Sequence, residues 1–382
     1  MKKLAIITTH PIQYNAPLFQ LLNERGNSQI KVFYTWGKQV AEEKYDPGFG
    51  KNIGWDIPLL EGYEYEWVEN ISKEPGSHHF KGIDNPRLVG SIESWNADAL
   101  LVYGWSFKSH LKAMRHFYGK ISVFFRGDSV VLSTSNSLKN KIKSIFLKWV
   151  YSHIDKALYA GTRNKEYYLK YGLRADQLIF CPHAIDNDRF MEDSIYSGKA
   201  TKWKSELHVP SLSTGFLYAG KLDENKNVRL LLETFVKVSG NNYLVIAGNG
   251  ILENELKNSF SSYHNIYFLP FQNQQTMPVL YRMADVFVLP SKTETWGLGI
   301  NEAMACGRAL LVSDNCGAAT DLVREGVNGY TFQSENAQDL YSKILMLSQQ
   351  KDDLRNMGAS SLDIVNEWNY EKDCKAIESS LI

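Results

Sequence analysis

The sequence predicts an α/β protein built from two doubly wound, Rossmann-like halves. Three observations lead to this fold class. Short apolar runs recur along the chain and alternate with helix-like segments or loops, which is typical of parallel sheets covered by helices. The same pattern begins again near residue 214. The 382 residues also exceed the ~250–300 that a single hydrophobic core usually supports.

In the first half, apolar runs predict a series of buried strands, and a helix follows the first of them. Asn15 could cap this helix, with Pro17 in its first turn, where a missing N–H costs little. We expect this half to span residues 1–190, with the polar stretch Asp186–Ser213 as a linker and entry to the second half. The predicted strands are Leu4–Ile7, Ile30–Tyr34, Ala99–Tyr103, Ile121–Phe125 and Lys156–Tyr159.

The second half, expected over residues 191–365, repeats this order. Helical apolar spacing predicts a helix over Asn227–Ser239, and a second helix over Thr295–Cys306 follows a glycine-containing turn. Neither half carries G-x-G-x-x-G after its first strand, which argues against a dinucleotide-dependent dehydrogenase. The predicted strands are Gly215–Ala219, Tyr243–Ala247, Ile266–Leu269, Val286–Leu289 and Ala309–Ser313.

Composition and charge exclude several classes of protein. Lys+Arg and Asp+Glu are equal at 42 each, so no overall basic field would attract nucleic acid. The four cysteines lack metal-like or C-x-x-C spacing, which favours a reducing compartment. The first apolar run is too short for a signal peptide, and no run approaches the ~18 residues of a membrane-spanning helix. We therefore expect a cytoplasmic protein.

Basic and glycine-rich turns follow the first two predicted strands of the second half. Lys221, next to Gly220, and Lys226 could clamp a diphosphate, because ligands of parallel α/β sheets bind beyond the carboxyl ends of the strands. The turn at Gly248 and Asn249 would let a backbone approach a ligand closely. Solvated surface lysines and a plain turn are the alternatives.

Two carboxylates flank the predicted start of a helix. Glu294 precedes the helix and Glu302 lies about one turn inside it, while Gly297 lies near its start. Free N–H groups at a helix start attract anions, and a carboxylate can accept hydrogen bonds from vicinal sugar hydroxyls. The alternative is one capping and one solvated glutamate.

Together these motifs resemble the retaining glycosyltransferases of family 4. The similarity lies in Gly220-Lys221 with Lys226-Asn227, in ETWGLGINEAMACG and in SDNCGAATDLVREGVNGY. In the first half, THPIQYNAPLF, FFRGDS, GTRNKEYYLKYG and CPHAIDNDRF look like a bacterial subgroup that builds surface polysaccharides. The resemblance implies the GT-B architecture, in which two Rossmann-like domains face each other across a cleft and a final helix, here 366–382, crosses back to the first domain.

The resemblance also implies roles for these residues. The two lysines would hold the diphosphate of a UDP- or GDP-sugar, Glu302 the ribose and Glu294 the transferred sugar. Transfer would go to a glycan or a lipid-linked glycan, with retention of configuration and with no metal or other cofactor. The substrate-binding set is His10, Gly220, Lys221, Lys226, Asn249, Phe271, Glu294, Trp296, Gly297, Leu298 and Glu302.

One position departs from the family pattern. Arg126 stands where many relatives carry a histidine, and a guanidinium cannot act as a base. We interpret Arg126 as a phosphate or acceptor ligand and Asp128 as the group that orients the acceptor hydroxyl, so the catalytic set is Asp128, Arg126 and Glu294. A structural ion pair between Arg126 and Asp128 is the alternative, as is a structural role for His10. His183 is expected to be structural.

A basic amphipathic helix is predicted over 137–150. Its lysines are Lys139, Lys141, Lys143 and Lys148, with no acidic neighbours. We expect its apolar stripe to pack inward. The alternative is peripheral contact with the cytoplasmic face of a membrane. The stripe consists of Leu138, Ile142, Ile145, Phe146 and Trp149.

Two other classes of function are also considered. The first is another GT-B enzyme, such as a sugar-nucleotide epimerase or a phosphorylase. The second is a non-catalytic protein that binds a sugar nucleotide or a glycan, which the departure at Arg126 would favour.

Overall fold

The computed structural model describes residues 1–38, 44–46, 51–131 and 138–381. The chain divides into two compact units. Unit 1 comprises Met1–Lys44, Ile57–Pro182 and Tyr370–Ile382, and unit 2 comprises Tyr45–Asp56 and His183–Asn369. The predicted boundaries, 190/191 and 365/366, compare with 182/183 and 369/370 in the structure.

The sheets of both units are parallel, and the predicted α/β fold with two Rossmann-like domains is confirmed. The sheet of unit 1 has the order β5-β2-β1-β6-β7-β8-β9, and that of unit 2 has the order β12-β11-β10-β13-β14-β15. The strands are β1 Lys2–Thr8, β2 Ser28–Tyr34, β3 Lys44–Asp46, β4 Lys51–Ile53, β5 Glu64–Trp67, β6 Ala99–Tyr103, β7 Ser122–Arg126, β8 Lys156–Tyr159, β9 Leu178–Phe180, β10 Thr214–Ala219, β11 Asn242–Ala247, β12 Ile266–Leu269, β13 Val286–Leu289, β14 Ala309–Ser313 and β15 Gly329–Phe332.

Helices cover both sheets, so the central strands are buried on both faces. In β1, the run Leu4–Ile7 has no exposed surface, as expected for a strand between two helical layers. The helices are α1 Ala16–Arg25, α2 Leu88–Ser94, α3 Lys108–Phe117, α4 Leu138–Tyr151, α5 Thr162–Lys170, α6 Asn187–Met191, α7 Asp193–Glu206, α8 Val228–Phe235, α9 Glu253–Ser259, α10 Met277–Tyr281, α11 Gly299–Ala305, α12 Ala319–Leu322, α13 Ala337–Ser348, α14 Lys351–Val365 and α15 Tyr370–Ser380.

The final helix, α15, belongs to unit 1 and packs beside α1. The guanidinium of Arg25 donates to the carboxylate of Glu378 at 2.9 Å and also forms an ion pair with Glu371. The start of α1 has a proline in its first turn as predicted, but the side chain of Asn15 makes no capping hydrogen bond.

Two local predictions are wrong. The stretch Asp186–Ser213 is not a linker, because α6 and α7 lie within it. Its sequence gave little sign of a helix, since Ala200 is the one buried residue that α7 presents to the fold. The apolar stripe of the predicted basic helix is exposed rather than packed inward. Ser137, the first residue of that prediction, lies outside the described residues. Within the described ranges, no helix is long and apolar enough to cross a membrane.

Candidate active site

Loops at the carboxyl ends of four neighbouring strands gather most of the predicted donor-binding residues of unit 2. Lys221 and Lys226 follow β10, Asn249 follows β11, Phe271 follows β12 and Glu294 follows β13. Because parallel strands end at the same edge of a sheet, these residues share one edge of unit 2.

Two glycine loops at this edge pack backbone against backbone. The amide of Gly220 donates to the carbonyl of Ala247 at 3.0 Å, and the amide of Leu222 donates to that of Asn249 at 2.9 Å. A Cβ on Gly248 would lie 1.9 Å from the Gly220 carbonyl oxygen, and its φ of 142° also disfavours a side chain. The glycines therefore fix the spacing between the loops after β10 and β11.

Asn249 ties the loop after β11 to its surroundings. Its Oδ1 accepts a hydrogen bond from the amide of Phe271 at 2.7 Å, and its Nδ2 donates to Glu253 at 2.6 Å. Each polar atom of this side chain thus has a protein partner. These hydrogen bonds position the loop that follows β11. The ring of Phe271 lies 6.4 Å from that of Trp55, centroid to centroid.

Lys226 and Glu294 form an ion pair between the loops after β10 and β13. The amide of Lys226 donates to the carboxylate of Asp223 at 2.9 Å, and the side chain of Asn225 donates to the carbonyl of Thr293 at 2.9 Å. The two loops are therefore joined beside the pair. Lys221 is half-buried in the same region, and its carbonyl accepts a hydrogen bond from the hydroxyl of Tyr218 at 2.6 Å.

The loop around Gly297 leads into α11, which begins at Gly299 and is shorter than the predicted helix. Gly297 has a φ of 97°, and a Cβ there would lie 2.9 Å from Leu289. The amide of Leu298 precedes the helix, and its carbonyl accepts from the amide of Glu302 at 3.1 Å. Gly317 donates to the carbonyl of Glu294 at 3.0 Å, which fixes the backbone of that loop.

Glu302 lies in the first turn of α11 and is 2% exposed. Its Oε2 accepts a hydrogen bond from the hydroxyl of Tyr281 at 2.7 Å. Tyr281, from α10, was missed by sequence reasoning, because nothing in the pattern of α10 links it to a glutamate on another helix. The hydroxyl fixes the orientation of the carboxylate.

The ring of Trp296, which was predicted to bind substrate, packs inside unit 2. Its ring is buried, 5.2 Å from the ring of Trp368 and 5.6 Å from that of His183. Its indole N–H donates to the side chain of Asn301 at 3.0 Å. The ring is packed and its donor is satisfied inside unit 2. His183, expected to be structural, also accepts a hydrogen bond at its carbonyl from Asn301 at 3.0 Å.

In unit 1, the side chain of Arg126 is also held by groups of the protein. Its buried guanidinium donates to the carbonyls of Cys181 at 3.1 Å and Pro182 at 2.8 Å. It also lies 3.8 Å from the carboxylate of Asp373 in α15. These groups hold the guanidinium inside the protein, which disfavours the predicted role as a phosphate or acceptor ligand. An ion pair forms with Asp373, a partner that the alternative did not name.

Asp128 lies exposed in the loop after β7. The residues on either side are anchored through their carbonyls. Asn164 donates to Gly127 at 3.0 Å and to Ser129 at 2.7 Å, and Tyr168 donates to Gly127 at 2.9 Å. Asn164 and Tyr168, which sequence reasoning missed, therefore fix the backbone that carries Asp128.

His10 is half-buried in the loop after β1. Its Nδ1 lies 2.8 Å from the hydroxyl of Thr9, and its ring contacts that of Trp36 edge-on at 5.2 Å. The arrangement fixes the ring within the loops of unit 1.

A second histidine, His110, was missed by sequence reasoning. It is fully buried, with one ring nitrogen 2.8 Å from the hydroxyl of Thr35 and the other 2.9 Å from the carbonyl of Gly104. Burial lowers the pKa of His110 to about 4, so the ring is neutral near pH 7. It links the loops that follow β2 and β6.

The chain is similar to known glycosyltransferases. Residues 200–361 match the family model described as glycosyl transferases group 1. The chain is 33% identical over 129 residues to an uncharacterized glycosyltransferase of Methanocaldococcus jannaschii, covering 32% of this chain and 33% of that protein. It is 23% identical to the N,N'-diacetylbacillosaminyl-diphospho-undecaprenol alpha-1,3-N-acetylgalactosaminyltransferase of Campylobacter jejuni, over 56% of each chain.

Solved structures share the whole fold. Sucrose-phosphate synthase from Thermosynechococcus elongatus superposes with a TM-score of 0.73 at 16% identity, covering 99% of this chain and 98% of that one. HepE of Anabaena, in complex with UDP and glucose, gives 0.73 at 14% identity, covering 100% and 99%.

The matching segments span 33%, 67% and 56% of the length of three curated relatives, two of them from M. jannaschii and one from C. jejuni. The family match and the fold carry different information, since the first concerns residues 200–361 and the second concerns nearly the whole chain. Residues 200–361 thus match the model of glycosyl transferases group 1, within a chain that has the GT-B fold.

Proposed function

We propose that this chain is a retaining glycosyltransferase of family 4 that transfers a hexose-type sugar from a UDP- or GDP-sugar to a glycan or lipid-linked glycan. The observation that carries the proposal is the ion pair of Lys226 and Glu294 at the strand ends of the matched domain, with Glu302 on the following helix. Synthesis of a bacterial surface polysaccharide is the setting that fits. The HepE structure contains UDP and glucose, and the C. jejuni relative is named for a diphospho-undecaprenol substrate.

The lysines would act on the leaving group. When the anomeric C–O bond breaks, negative charge develops on the departing diphosphate, and preorganised cations stabilise it. In the structure, Glu294 neutralises Lys226. An arriving diphosphate would take over the contact with Lys226 and release Glu294 to accept hydrogen bonds from the hydroxyls of the sugar. Lys221 would add a second positive charge, so the transfer needs no metal ion.

Glu302 would read the nucleoside part of the donor. Its carboxylate is oriented by the hydroxyl of Tyr281 and lies one turn into α11. A carboxylate held in this way suits the vicinal hydroxyls of a ribose. Phe271 would lie near the base.

Unit 1 would present the acceptor, with the exposed Asp128 and the half-buried His10 in its strand-end loops. The acceptor hydroxyl would attack the anomeric carbon on the face from which the diphosphate leaves, so that configuration is retained. The new bond is from acceptor oxygen to carbon, the broken bond is from carbon to phosphate oxygen, and the proton passes to the departing phosphate. Asp128 would orient the hydroxyl.

Calorimetric titration with UDP and GDP tests this division of roles. Glu302→Gln removes one charge-assisted hydrogen bond, worth about 1.5–3 kcal/mol. It should lower the affinity for the bare nucleotide at least tenfold. Glu294→Gln should leave the affinity for the nucleotide nearly unchanged and lower kcat in transfer assays instead. Glu233→Gln, which changes an exposed glutamate of α8, is the control.

Two outcomes would contradict the proposal. If Glu294→Gln weakened the bare nucleotide as much as Glu302→Gln, the assigned roles would be wrong. If the wild-type chain bound a sugar nucleotide but released no nucleoside diphosphate with any acceptor, the non-catalytic alternative would be favoured.

A further inference from the structure

Helix α4 of unit 1 exposes a row of large apolar side chains. Leu138, Ile142, Ile145, Phe146 and Trp149 are 41–73% exposed. Isolated exposed apolar residues are common, but five within twelve positions of one helix form a contiguous patch of the kind that marks an interaction surface.

The geometry of the helix explains why this stripe faces outward. Leu147 and Tyr151 are buried, and they lie on the same face as the half-buried Ser144. Ile145 and Trp149 are offset by two positions from that face, which corresponds to about 200° around the helix axis. The helix therefore packs one side onto unit 1 and turns the apolar stripe away from it.

Positive charge surrounds the stripe. Lys139, Lys141, Lys143 and Lys148 are exposed, and α4 contains no acidic residue. Across the described parts of the chain, none of these four lysines takes part in an ion pair. The guanidinium of Arg115, on the exposed side of α3, lies 5.3 Å from the ring of Trp149. The surface thus combines apolar side chains, an indole ring and cations.

We propose that α4 docks unit 1 on an anionic phospholipid surface. A helix of this composition lies in the plane of the interface, with its apolar stripe at the boundary of headgroups and acyl chains and its lysines near the lipid phosphates. A second copy of the chain is a less suitable partner for this face of α4, because a two-fold contact through α4 would bring the same lysines close to each other. The inference goes beyond the proposed function, since binding to lipid requires neither donor nor acceptor.

Co-sedimentation of the full chain with vesicles tests the proposal. We expect binding to vesicles that contain phosphatidylglycerol, little binding to phosphatidylcholine alone, and weaker binding as salt is raised. The double variant Ile142→Ser/Ile145→Ser should lower the affinity about tenfold or more, because both side chains leave the lipid interface. The triple variant Lys139→Gln/Lys141→Gln/Lys143→Gln should lower it by at least as much, because three cations near the lipid phosphates are lost.

Matched controls lie on unit 2. Ile251→Ser removes an equally exposed isoleucine, and Lys199→Gln/Lys202→Gln removes two exposed lysines of α7, and both variants should bind vesicles as the wild type does. Circular dichroism and thermal melting should be unchanged in every variant, since the altered side chains are exposed.

Three results would overturn the proposal. The first is equal binding to both kinds of vesicle or to neither. The second is loss of binding in the control variants. The third is a dimer in light scattering that Ile145→Ser dissociates, which would make a second copy the occupant. Titration with UDP or GDP reports on unit 2 alone, so failure of lipid binding and failure of the proposed function can be distinguished.

Discussion

The two units each carry an ion pair close to the carboxyl ends of their strands, and the two pairs differ in burial. In unit 1, the side chains of Arg126 and Asp373 are 5% and 1% exposed. In unit 2, those of Lys226 and Glu294 are 22% and 17% exposed. The first pair is enclosed by carbonyls and a helix of its own unit, whereas the second lies between two loops at the surface.

This difference in burial gives the two ion pairs different roles. A buried pair has lost its hydration, so removing one partner leaves an uncompensated charge inside the protein. A pair that solvent reaches contributes little to stability, and its members can exchange partners with a ligand. We infer that the pair in unit 1 stabilises the fold and that the pair in unit 2 is available for binding. The following predictions measure this contrast.

The largest expected effect is on the buried pair. Asp373→Asn keeps the shape of the side chain but leaves Arg126 without its countercharge, which should cost about 3–5 kcal/mol of the free energy of unfolding. Urea denaturation measures this loss. Asp176→Asn, which breaks the exposed pair with Arg174 in the same unit, should leave the free energy of unfolding unchanged. A small loss in Asp373→Asn would remove the contrast between the units.

A second effect concerns the dependence of stability on pH. Burial lowers the pKa of His110 to about 4, and the unfolded chain should titrate near the ordinary value of ~6.5. Above pH ~6.5, His110 is neutral in both the folded and the unfolded state. As the pH falls from ~6.5 to about 4, the unfolded chain binds the proton first, so up to about 3 kcal/mol of stability is lost.

Denaturation series across this range, on the wild type and on His110→Gln, measure the contribution. The variant cannot titrate at this position, so its stability should fall less steeply with decreasing pH. His264→Gln, which changes an exposed histidine of unit 2, should keep the slope of the wild type. Parallel slopes for wild type and His110→Gln would show that this histidine does not cause the loss of stability at low pH.

The smallest expected effect on stability is in unit 2. Lys226→Met should change the free energy of unfolding by no more than about 1 kcal/mol, because the pair with Glu294 is reached by solvent. The same variant should lower the affinity for UDP or GDP at least tenfold, since a charge-assisted contact to the diphosphate is lost. Arg229→Met breaks an ion pair with Glu255 elsewhere in unit 2 and should leave nucleotide affinity intact. A large loss of stability with unchanged affinity would reverse the roles of the two pairs.

Sequence reasoning predicted most of the strands, because a buried parallel strand is a local pattern. The predicted run Val286–Leu289 is β13 in full, and Ala309–Ser313 is β14. It also placed Lys226 and Glu294 at one edge of the sheet, since position after a strand is local information as well.

Contacts between distant segments could not be predicted in the same way. The sequence does not show that Arg126 pairs with Asp373, which lies in the last helix of the chain. It does not show either that Trp368 packs against Trp296. In α4 the pattern showed an apolar stripe, but periodicity does not say which face of a helix meets the core.

The last helix has a consequence for how the chain is made. During synthesis the amino terminus of a chain emerges from the ribosome first, and domains commonly fold as they emerge. Unit 1 begins with Met1 but receives α15, with Asp373, only when synthesis has passed the whole of His183–Asn369. Until then, the guanidinium of Arg126 lacks its countercharge. The unit that is translated first is therefore the one that must wait longest to complete its core.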